Sequence, residues 1–421
     1  MKINLKLKSL AAVLAAASLV CPIYADEGKV PKGVPHLDHV FVIMMENHAY
    51  SQIVGNPNAP FTNQYIKTAN TAHNYFAVAH PSLTNYLEVV GGSNFGVLND
   101  NSPDWHNTNC ATNLSSGQPS LDDGNHPAIC PIYGTGTDAA TPAIDYSNET
   151  SGPPGEINID GTISIPAAAS TTGKTIGDQL TEWGKTWKSY QESLPAAGAD
   201  NVNNSDGFFT SSAGILAALP NETQTLINLY AVKHNPFAYF QSVQEGQNPH
   251  NSLKNVVGFQ GPKGLFADLG SGHLPNFSFI APNQCNDQHG RGNAGPSCDF
   301  DPVSNGTLVG LNPALIYQGD LTLRTLVTAI HDSPVWQEGH SAIVVLWDEN
   351  DYSISPTTNQ VLLTVETNYG PHNVKSGKFY THFSLLKSLE AGFRLPCLNH
   401  ACDANTDVMS DLFAGGDHDK D

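Results

Sequence analysis

The segment His39–His48, HVFVIMMENH, constrains the fold more than any other part of the sequence. Val40–Met45 is a short, uninterrupted apolar run rich in branched residues, and a Glu-Asn-His triplet (46–48) follows it at once. A run of this length predicts a strand buried on both faces, as in parallel sheets covered by helices. Open α/β sheets bind ligands just beyond the carboxyl ends of their strands. The triplet therefore either contributes to a site or simply begins a polar loop.

Predicted strands alternate with predicted helices along the rest of the chain. This order predicts an α/β fold, a three-layer α/β/α sandwich around a mostly parallel central sheet. We expect one domain over 26–421, with a loop-rich insertion at 93–170, because that Gly-, Pro- and Asn-rich stretch is too long for an ordinary connection. The predicted strands are 40–45, 227–232, 277–281, 341–347 and 361–367, and the predicted helices are 82–90, 175–190, 235–243, 321–331 and 382–393.

The first 25 residues resemble a secretory signal peptide. Three lysines precede the apolar core Leu10–Val20, which is too short to span a bilayer, and Ala25 offers a small residue for cleavage. We therefore expect a secreted or periplasmic protein without stable membrane insertion. Six cysteines remain, and an even number after a signal peptide indicates disulfides. Of the fifteen possible pairings, proximity in the sequence favours Cys110–Cys130, Cys285–Cys298 and Cys397–Cys402.

The charge balance limits the class of partner. The chain has 39 acidic residues against 19 Lys and Arg, a formal net charge of −20, and loss of the three lysines of the signal segment brings it to −23. Such a chain repels nucleic acids and anionic membranes, which argues against a nucleic-acid-binding role. An anionic substrate then requires a local positive group such as a metal ion. The sequence does not indicate an oligomeric state.

Four clusters carry side chains that can bind metal ions, and three of these clusters follow predicted strands. Carboxylate oxygens mixed with imidazole nitrogens suit zinc or another divalent first-row ion. Each cluster taken singly also has a structural interpretation, such as a solvated turn or a helix cap. The clusters are Glu46 with Asn47; Asn286, Asp287 and His289; Asp348 with Glu349; and His382.

Thr175 is the candidate nucleophile, in the sequence GKTIGDQL at the predicted start of a helix. A hydroxyl there lies at the positive end of the helix dipole, beside free backbone N–H groups. With a metal ion nearby, its ionised form is favoured and can attack phosphorus. Thr175 with Asp178 also resembles a capping box, the more common role for such a pair. Thr171, Thr172 and Ser82 are competing hydroxyls.

Eight short motifs occur in one order along nearly the whole mature chain. They are VIMMENH at 42–48, HPSLTNYL at 80–87, KTIGDQL at 174–180, WKSYQ at 187–191, KHNPF at 233–237, LPNFSFIAPN at 274–283, LWDEND at 346–351 and YTHFSLLKSLE at 380–390. Together they resemble the phosphoesterase family, which contains bacterial and fungal phospholipases C and acid phosphatases. That resemblance implies an alkaline-phosphatase-like core and one or two divalent ions, with zinc favoured.

The resemblance also implies roles for individual residues. Two positions depart from the family pattern without removing a proposed ligand: Thr84, where Pro is usual, and Thr381, where Asp is frequent. The implied roles are a first metal pair at Glu46 and Asn47, a later metal pair at Asp348 and Glu349, a metal-bound nucleophile at Thr175, a second metal site from Asp287, His289 and His382, and contacts to phosphate or leaving group from His80 and Asn85.

The function expected from these features is a secreted, metal-dependent phosphoesterase of phospholipase C type. It would release diacylglycerol from a phospholipid through a threonine nucleophile. An acid phosphatase acting on small soluble monoesters is the first alternative. A catalytically inactive surface-binding module is the second, and the joint presence of Glu46, Thr175, Asp348 and Glu349 speaks against it.

Overall fold

A computed structural model describes most of the chain. The expected signal segment, much of the predicted insertion and Cys110 lie outside the described residues. Short pairs of strands occur at the periphery, for example Glu156–Asn158 with Ser164–Pro166. The described ranges are 27–105, 128–140, 155–159, 163–195, 198, 209–210, 225–226, 229–291, 294–299, 312–350 and 358–414.

An eight-stranded sheet forms the centre of the protein. Its strands in chain order are β1 His39–Met45, β2 Asn70–Ala72, β3 Trp187–Gln191, β4 Val256–Gly258, β5 Phe277–Ala281, β6 Ser341–Trp347, β7 Leu363–Thr367 and β8 Lys375–Ser376. The spatial order is β4-β3-β5-β1-β6-β7-β2-β8. All neighbours pair in parallel except β7, which is antiparallel to both β6 and β2. The predicted α/β class with a mostly parallel sheet is confirmed.

Helices cover the sheet in two groups. The helix α3 (Ser82–Gly91) packs against α4 (Ile176–Glu182) and α8 (His382–Phe393), whereas α7 (Pro313–His331) packs against α2 (Pro60–Tyr65) and α6 (Leu265–Ser271). Every residue of Val40–Met45 is buried, as expected for a strand with helices on both faces. Among the described residues, no helix has the length and apolar character needed to cross a membrane. The α-helices are α1 Tyr50–Ile53, α2 Pro60–Tyr65, α3 Ser82–Gly91, α4 Ile176–Glu182, α5 Gln241–Glu245, α6 Leu265–Ser271, α7 Pro313–His331, α8 His382–Phe393 and α9 Ser410–Phe413.

The pairing register brings three polar strand ends to one edge. Along β1, Val40 pairs with Phe277 of β5, and Met45 pairs with Trp347 of β6. The residues that follow these strands, Glu46 and Asp348 among them, therefore lie side by side. This confirms the predicted common edge.

Three predicted elements differ from the observed ones. The helix predicted over 235–243 is a 3-10 turn, Pro236–Tyr239, followed by the short helix Gln241–Glu245. The helix predicted over 175–190 ends at Glu182, and Trp187–Gln191 is instead β3. The spacing of Trp183 and Trp187 suggested one helical face, but Gly184 adopts φ 70° and breaks the helix between them. Trp183 is 55% exposed, whereas Trp187 is buried in the core. The strand predicted over 227–232 is also wrong, because its described residues 229–232 belong to no strand and Val232–His234 forms a 3-10 turn.

Disulfides close two short loops. Cys285 pairs with Cys298, and Cys397 pairs with Cys402, as predicted. The predicted partner of Cys130, Cys110, lies outside the described residues.

Candidate active site

Glu46 lies at the centre of the polar cluster at the sheet edge. It is the first residue after β1, and its backbone N–H donates to the Asp287 carbonyl at 2.8 Å. Its side chain is fully buried. Glu46 Oε1 lies 3.0 Å from His234 Nε2, and Oε2 lies 3.2 Å from Ser82 Oγ. One carboxylate therefore joins a histidine half of the site to a hydroxyl half.

The histidine half contains His234, His289 and Asp287. His234 Nδ1 lies 3.2 Å from Asp287 Oδ2. His289 Nδ1–H donates to the Gly290 carbonyl at 2.8 Å, which leaves Nε2 with its lone pair for a ligand. Ligand atoms of Glu46, His234 and His289 all lie within 4.8 Å of one another. Two of the predicted metal residues, Glu46 and His289, are thus brought together.

Burial keeps both histidines neutral. It lowers the pKa of His234 well below its usual value, and the Lys233 charge lowers it further. Burial, with Lys233, lowers the pKa of His289 to about 3. Neutral imidazole is the form that binds metal ions. The His234 ring is also held in place by Tyr86, which stacks on it with a centroid distance of 5.3 Å and an interplanar angle of 6°.

The hydroxyl half is organised around Ser82, the first residue of α3. Ser82 Oγ lies 3.1 Å from Glu349 Oε1 in addition to its contact with Glu46. The other Glu349 oxygen accepts from Asn85 Nδ2 at 3.2 Å and lies 2.8 Å from His80 Nδ1. His80 and Asn85 are therefore at the site and orient Glu349, while their predicted contact with substrate stays a prediction.

Asp348 connects β6 to β1 at the same edge. Its Oδ1 accepts from the backbone N–H of Asn47 at 3.1 Å, and Asn47 adopts φ 53°. His382 Nε2–H donates to the Asp348 carbonyl at 2.7 Å, and His382 Nδ1 accepts from the Tyr75 hydroxyl at 2.8 Å. Both ring nitrogens of His382 are thus engaged. His382 thus holds Asp348 in place through its backbone carbonyl, and the ligand roles of His382 and Asn47 stay predictions.

The donor set fits a divalent cation. Burial raises the pKa of Glu46, Asp287 and Asp348, and repulsion from a neighbouring carboxylate adds to each rise. Glu46 Oε1 and Asp287 Oδ2 face the His234 ring nitrogens without a well-aligned hydrogen bond, and buried Asp348 Oδ2 has no hydrogen-bond partner among the described residues. Buried carboxylates without compensation are costly, and a divalent ion bound by these oxygens would supply that compensation.

Thr175 lies elsewhere. Its hydroxyl donates to Asp178 Oδ2 at 2.8 Å and accepts from the Asp178 N–H at 3.3 Å, the capping box of α4. A Cβ added to Gly91, the last residue of α3, would lie 3.1 Å from the Lys174 carbonyl oxygen. Ser82 opens the same helix about 13 Å away, at 1.5 Å per residue. The structure thus places Thr175 near the far end of α3, in a helix cap and away from the polar cluster, and its role as nucleophile and metal ligand stays a prediction.

The sequence arguments missed three residues of the site. Ser82 appeared only as a competing hydroxyl, and Lys233 and His234 were not nominated at all. The signal was available in the motifs HPSLTNYL and KHNPF, which contain all three residues. HPSLTNYL begins a predicted helix and does not follow a strand. KHNPF directly follows the strand predicted over 227–232, so Lys233 and His234 are polar residues at a predicted strand end.

Comparison with known proteins identifies the family of the chain. The model of the phosphoesterase family matches residues 56–296, more than half of the chain. An acid phosphatase from Aspergillus fumigatus is 24% identical over 399 residues, which are 94% of this chain and 63% of the relative. A phosphatidylinositol-3-phosphatase from Mycobacterium tuberculosis is 24% identical over 408 residues, covering 95% of this chain and 92% of the relative.

The chain spans a little under two thirds of the Aspergillus protein. A solved structure from Vibrio parahaemolyticus, described as a protein in the alkaline phosphatase superfamily, aligns at a TM-score of 0.43 with 11% identity over 88% of this chain and 69% of that one. The candidate site rests on the geometry above. The chain belongs to the phosphoesterase family, a family of phosphoric ester hydrolases.

Proposed function

We propose that this protein is a secreted, metal-dependent phosphatase that hydrolyses phosphomonoesters with Ser82 as nucleophile. One observation carries the proposal: the Ser82 hydroxyl lies within 3.2 Å of two buried carboxylates, Glu46 and Glu349, at the start of a buried helix. A serine is activated by an adjacent base or by a metal ion, and this position offers both.

The reaction follows from these contacts. Ser82 Oγ attacks phosphorus as its proton passes to Glu349 Oε1, 3.1 Å away, and the bond to the leaving oxygen breaks. The alcohol leaves with a proton from solvent. Water then attacks the phosphoserine, inorganic phosphate departs, and Glu349 returns the proton to Ser82. A divalent ion held by Glu46, Asp348 and Glu349 would neutralise phosphate charge and favour the ionised form of Ser82.

The substrate class follows the relatives. They are named as phosphatases, including one that acts on a phosphoinositide, so we prefer a monoester to the diester expected for a phospholipase C. Zinc is the ion we would test first, because imidazole nitrogens join carboxylates in the site. The ligand atoms divide into two halves that share Glu46, which is compatible with one or two ions.

Two alanine variants test the nucleophile. We expect Ser82→Ala to lower kcat/KM for 4-nitrophenyl phosphate by about 10³-fold or more, because covalent catalysis is lost. Thr175→Ala should stay within about tenfold and lose roughly 1 kcal/mol of stability, since it removes a helix cap. Both variants and the wild type are assayed with and without chelator, and with phosphatidylcholine as a diester.

The outcomes separate the candidates. Loss of activity in Thr175→Ala but not in Ser82→Ala would restore the threonine assignment. Release of diacylglycerol at a higher kcat/KM than monoester hydrolysis would restore the phospholipase C function. Full activity after chelation, with metal absent by elemental analysis, would exclude a metal-dependent reaction.

A further inference from the structure

We infer that Lys233 is a second catalytic residue and that Asp100 positions it. This inference rests on the proposed role of Ser82. Lys233 Nζ lies 3.4 Å from Ser82 Oγ and 2.8 Å from Asp100 Oδ2. Lys233 thus reaches the oxygen that carries negative charge when it attacks phosphorus and again when it leaves the phosphoserine.

Asp100 bonds both to Lys233 and to the first turn of α3, the helix that begins with Ser82. Its Oδ2 accepts from Lys233, and its Oδ1 accepts from the backbone N–H of Leu83 at 3.1 Å. Leu83 is the second residue of α3, directly after Ser82. A single carboxylate therefore sets the distance between the ammonium group and the first turn of the helix.

The burial of Lys233 argues for a functional charge. Its side chain is only 15% exposed, and an ammonium group pays a desolvation cost there. One partner would satisfy a purely structural ion pair, but this ammonium also contacts the Ser82 hydroxyl. A lysine has three N–H donors, and the described residues provide partners for two. The third donor remains for a non-bridging phosphate oxygen.

The step balances without a further reactant. During phosphorylation the Ser82 proton passes to Glu349, while Lys233 keeps its own protons and donates a hydrogen bond to the charged oxygen. During dephosphorylation the same ammonium stabilises Ser82 Oγ as the bond to phosphorus breaks. Fixed donors directed at developing charge contribute about 10²–10³-fold to rate in such sites.

Lys188 offers a matched control. Its Nζ pairs with Asp268, its side chain is 24% exposed, and its described contacts include no residue of the site. Removal of Lys188 tests the loss of a partly buried lysine–aspartate pair on its own. Removal of Lys233 tests that loss together with the loss of the contact to Ser82.

The experiment measures formation of the phosphoserine in the metal-loaded, full-length mature protein. Single-turnover reactions with 4-nitrophenyl phosphate are quenched in acid, and the labelled residue is identified by mass spectrometry. We expect Lys233→Met to slow labelling of Ser82 about 10²-fold, Lys233→Arg to recover part of the rate, and Asp100→Asn to slow it about tenfold. Lys188→Met should match the wild type, and unfolding curves establish that each variant is folded.

Two results would overturn the inference. If Ser82 is labelled in the wild type but Lys233→Met labels it within threefold of the wild-type rate, Lys233 is structural while the proposed nucleophile stands. If label appears on another residue, the proposed nucleophile fails and the role of Lys233 fails with it. Should Lys233→Met not fold, Lys233→Arg and Asp100→Asn both labelling at the wild-type rate would equally contradict the inference.

Discussion

His400 shows how one buried side chain joins distant parts of this chain. Its Nε2 contacts Asp138, in the described range 128–140, and its Nδ1 contacts Asp403 at 2.7 Å. Burial lowers the pKa of His400, but the two carboxylates outweigh burial and raise it to about 10. The folded protein therefore holds a proton that the unfolded chain releases near pH 6.5.

The sign of the pH effect follows from this raised pKa. The stability contributed by His400 is fully present below about pH 6.5 and is lost as pH rises through about 10. We expect His400→Gln to lower the free energy of unfolding by up to about 4 kcal/mol at pH 6 and by much less at pH 10.5. Urea unfolding of both proteins at each pH measures this. An equal loss at the two pH values would contradict the role of the charge.

His331 provides the control for that experiment. It pairs with Glu366 at 3.0 Å, but its side chain is 36% exposed. Exposed ion pairs contribute about 1 kcal/mol or less. His331→Gln should therefore change stability little at either pH.

At the scale of elements, the packing of α3 fixes the position of Ser82 in the site. All ten of its residues are buried, and it runs from Ser82 at the site to Gly91 at the far end. Gly92 ends it with φ 70°, the left-handed conformation that favours glycine. A Cβ added to Gly92 would also lie 2.7 Å from the Leu398 carbonyl oxygen. The end of α3 is thus fixed against the segment that follows α8.

A pair of glycine variants separates these two constraints. Gly55 has a similar φ of 83°, but a Cβ added there meets nothing within 4 Å. We expect Gly55→Ala to cost about 1 kcal/mol from backbone conformation alone. Gly92→Ala should cost about 1–3 kcal/mol more, because the Leu398 backbone must shift. Equal losses in urea unfolding would show that the contact with Leu398 is unimportant.

At the scale of the whole molecule, several buried carboxyl groups of this acidic protein lie together at one edge of the sheet, with little positive charge beside them. Four carboxyl groups from the ends of β1, β5 and β6 meet there: Glu46, Asp287, Asp348 and Glu349. The cation Lys233 neutralises only part of that charge. A bound divalent ion would therefore stabilise the folded chain as well as the reaction.

Metal removal should be visible in thermal unfolding without any activity assay. We expect chelated wild-type protein to unfold at a lower temperature, and added Zn²⁺ to raise that temperature as the logarithm of its concentration. Glu46→Gln should lose the response, because it removes the carboxylate shared by both halves of the site. Glu390→Gln is the control, since Glu390 is equally buried but bonds to the Leu398 N–H. A response retained in Glu46→Gln would place the ion elsewhere.

The sequence by itself determined the sheet and its polar edge. Burial on both faces requires continuous apolar runs, so β1, β5 and β6 could be located from the order of apolar residues in the sequence alone. Parallel pairing then brings their carboxyl ends together, which predicted the meeting of Glu46, Asp287 and Asp348. The helices α3 and α8 were predictable for a similar local reason, because their apolar faces and stop signals lie within the elements themselves.

Only the tertiary structure decided which hydroxyl and which histidine complete the site. Thr175 and Ser82 both lie at the start of a helix. The local sequence does not show which of these two helices starts at the polar edge of the sheet. His234 and Lys233 come from a 3-10 turn with no strand of the sheet before it. Such positions depend on how helices and loops pack across the sheet, and that packing involves residues more than a hundred positions apart in the chain.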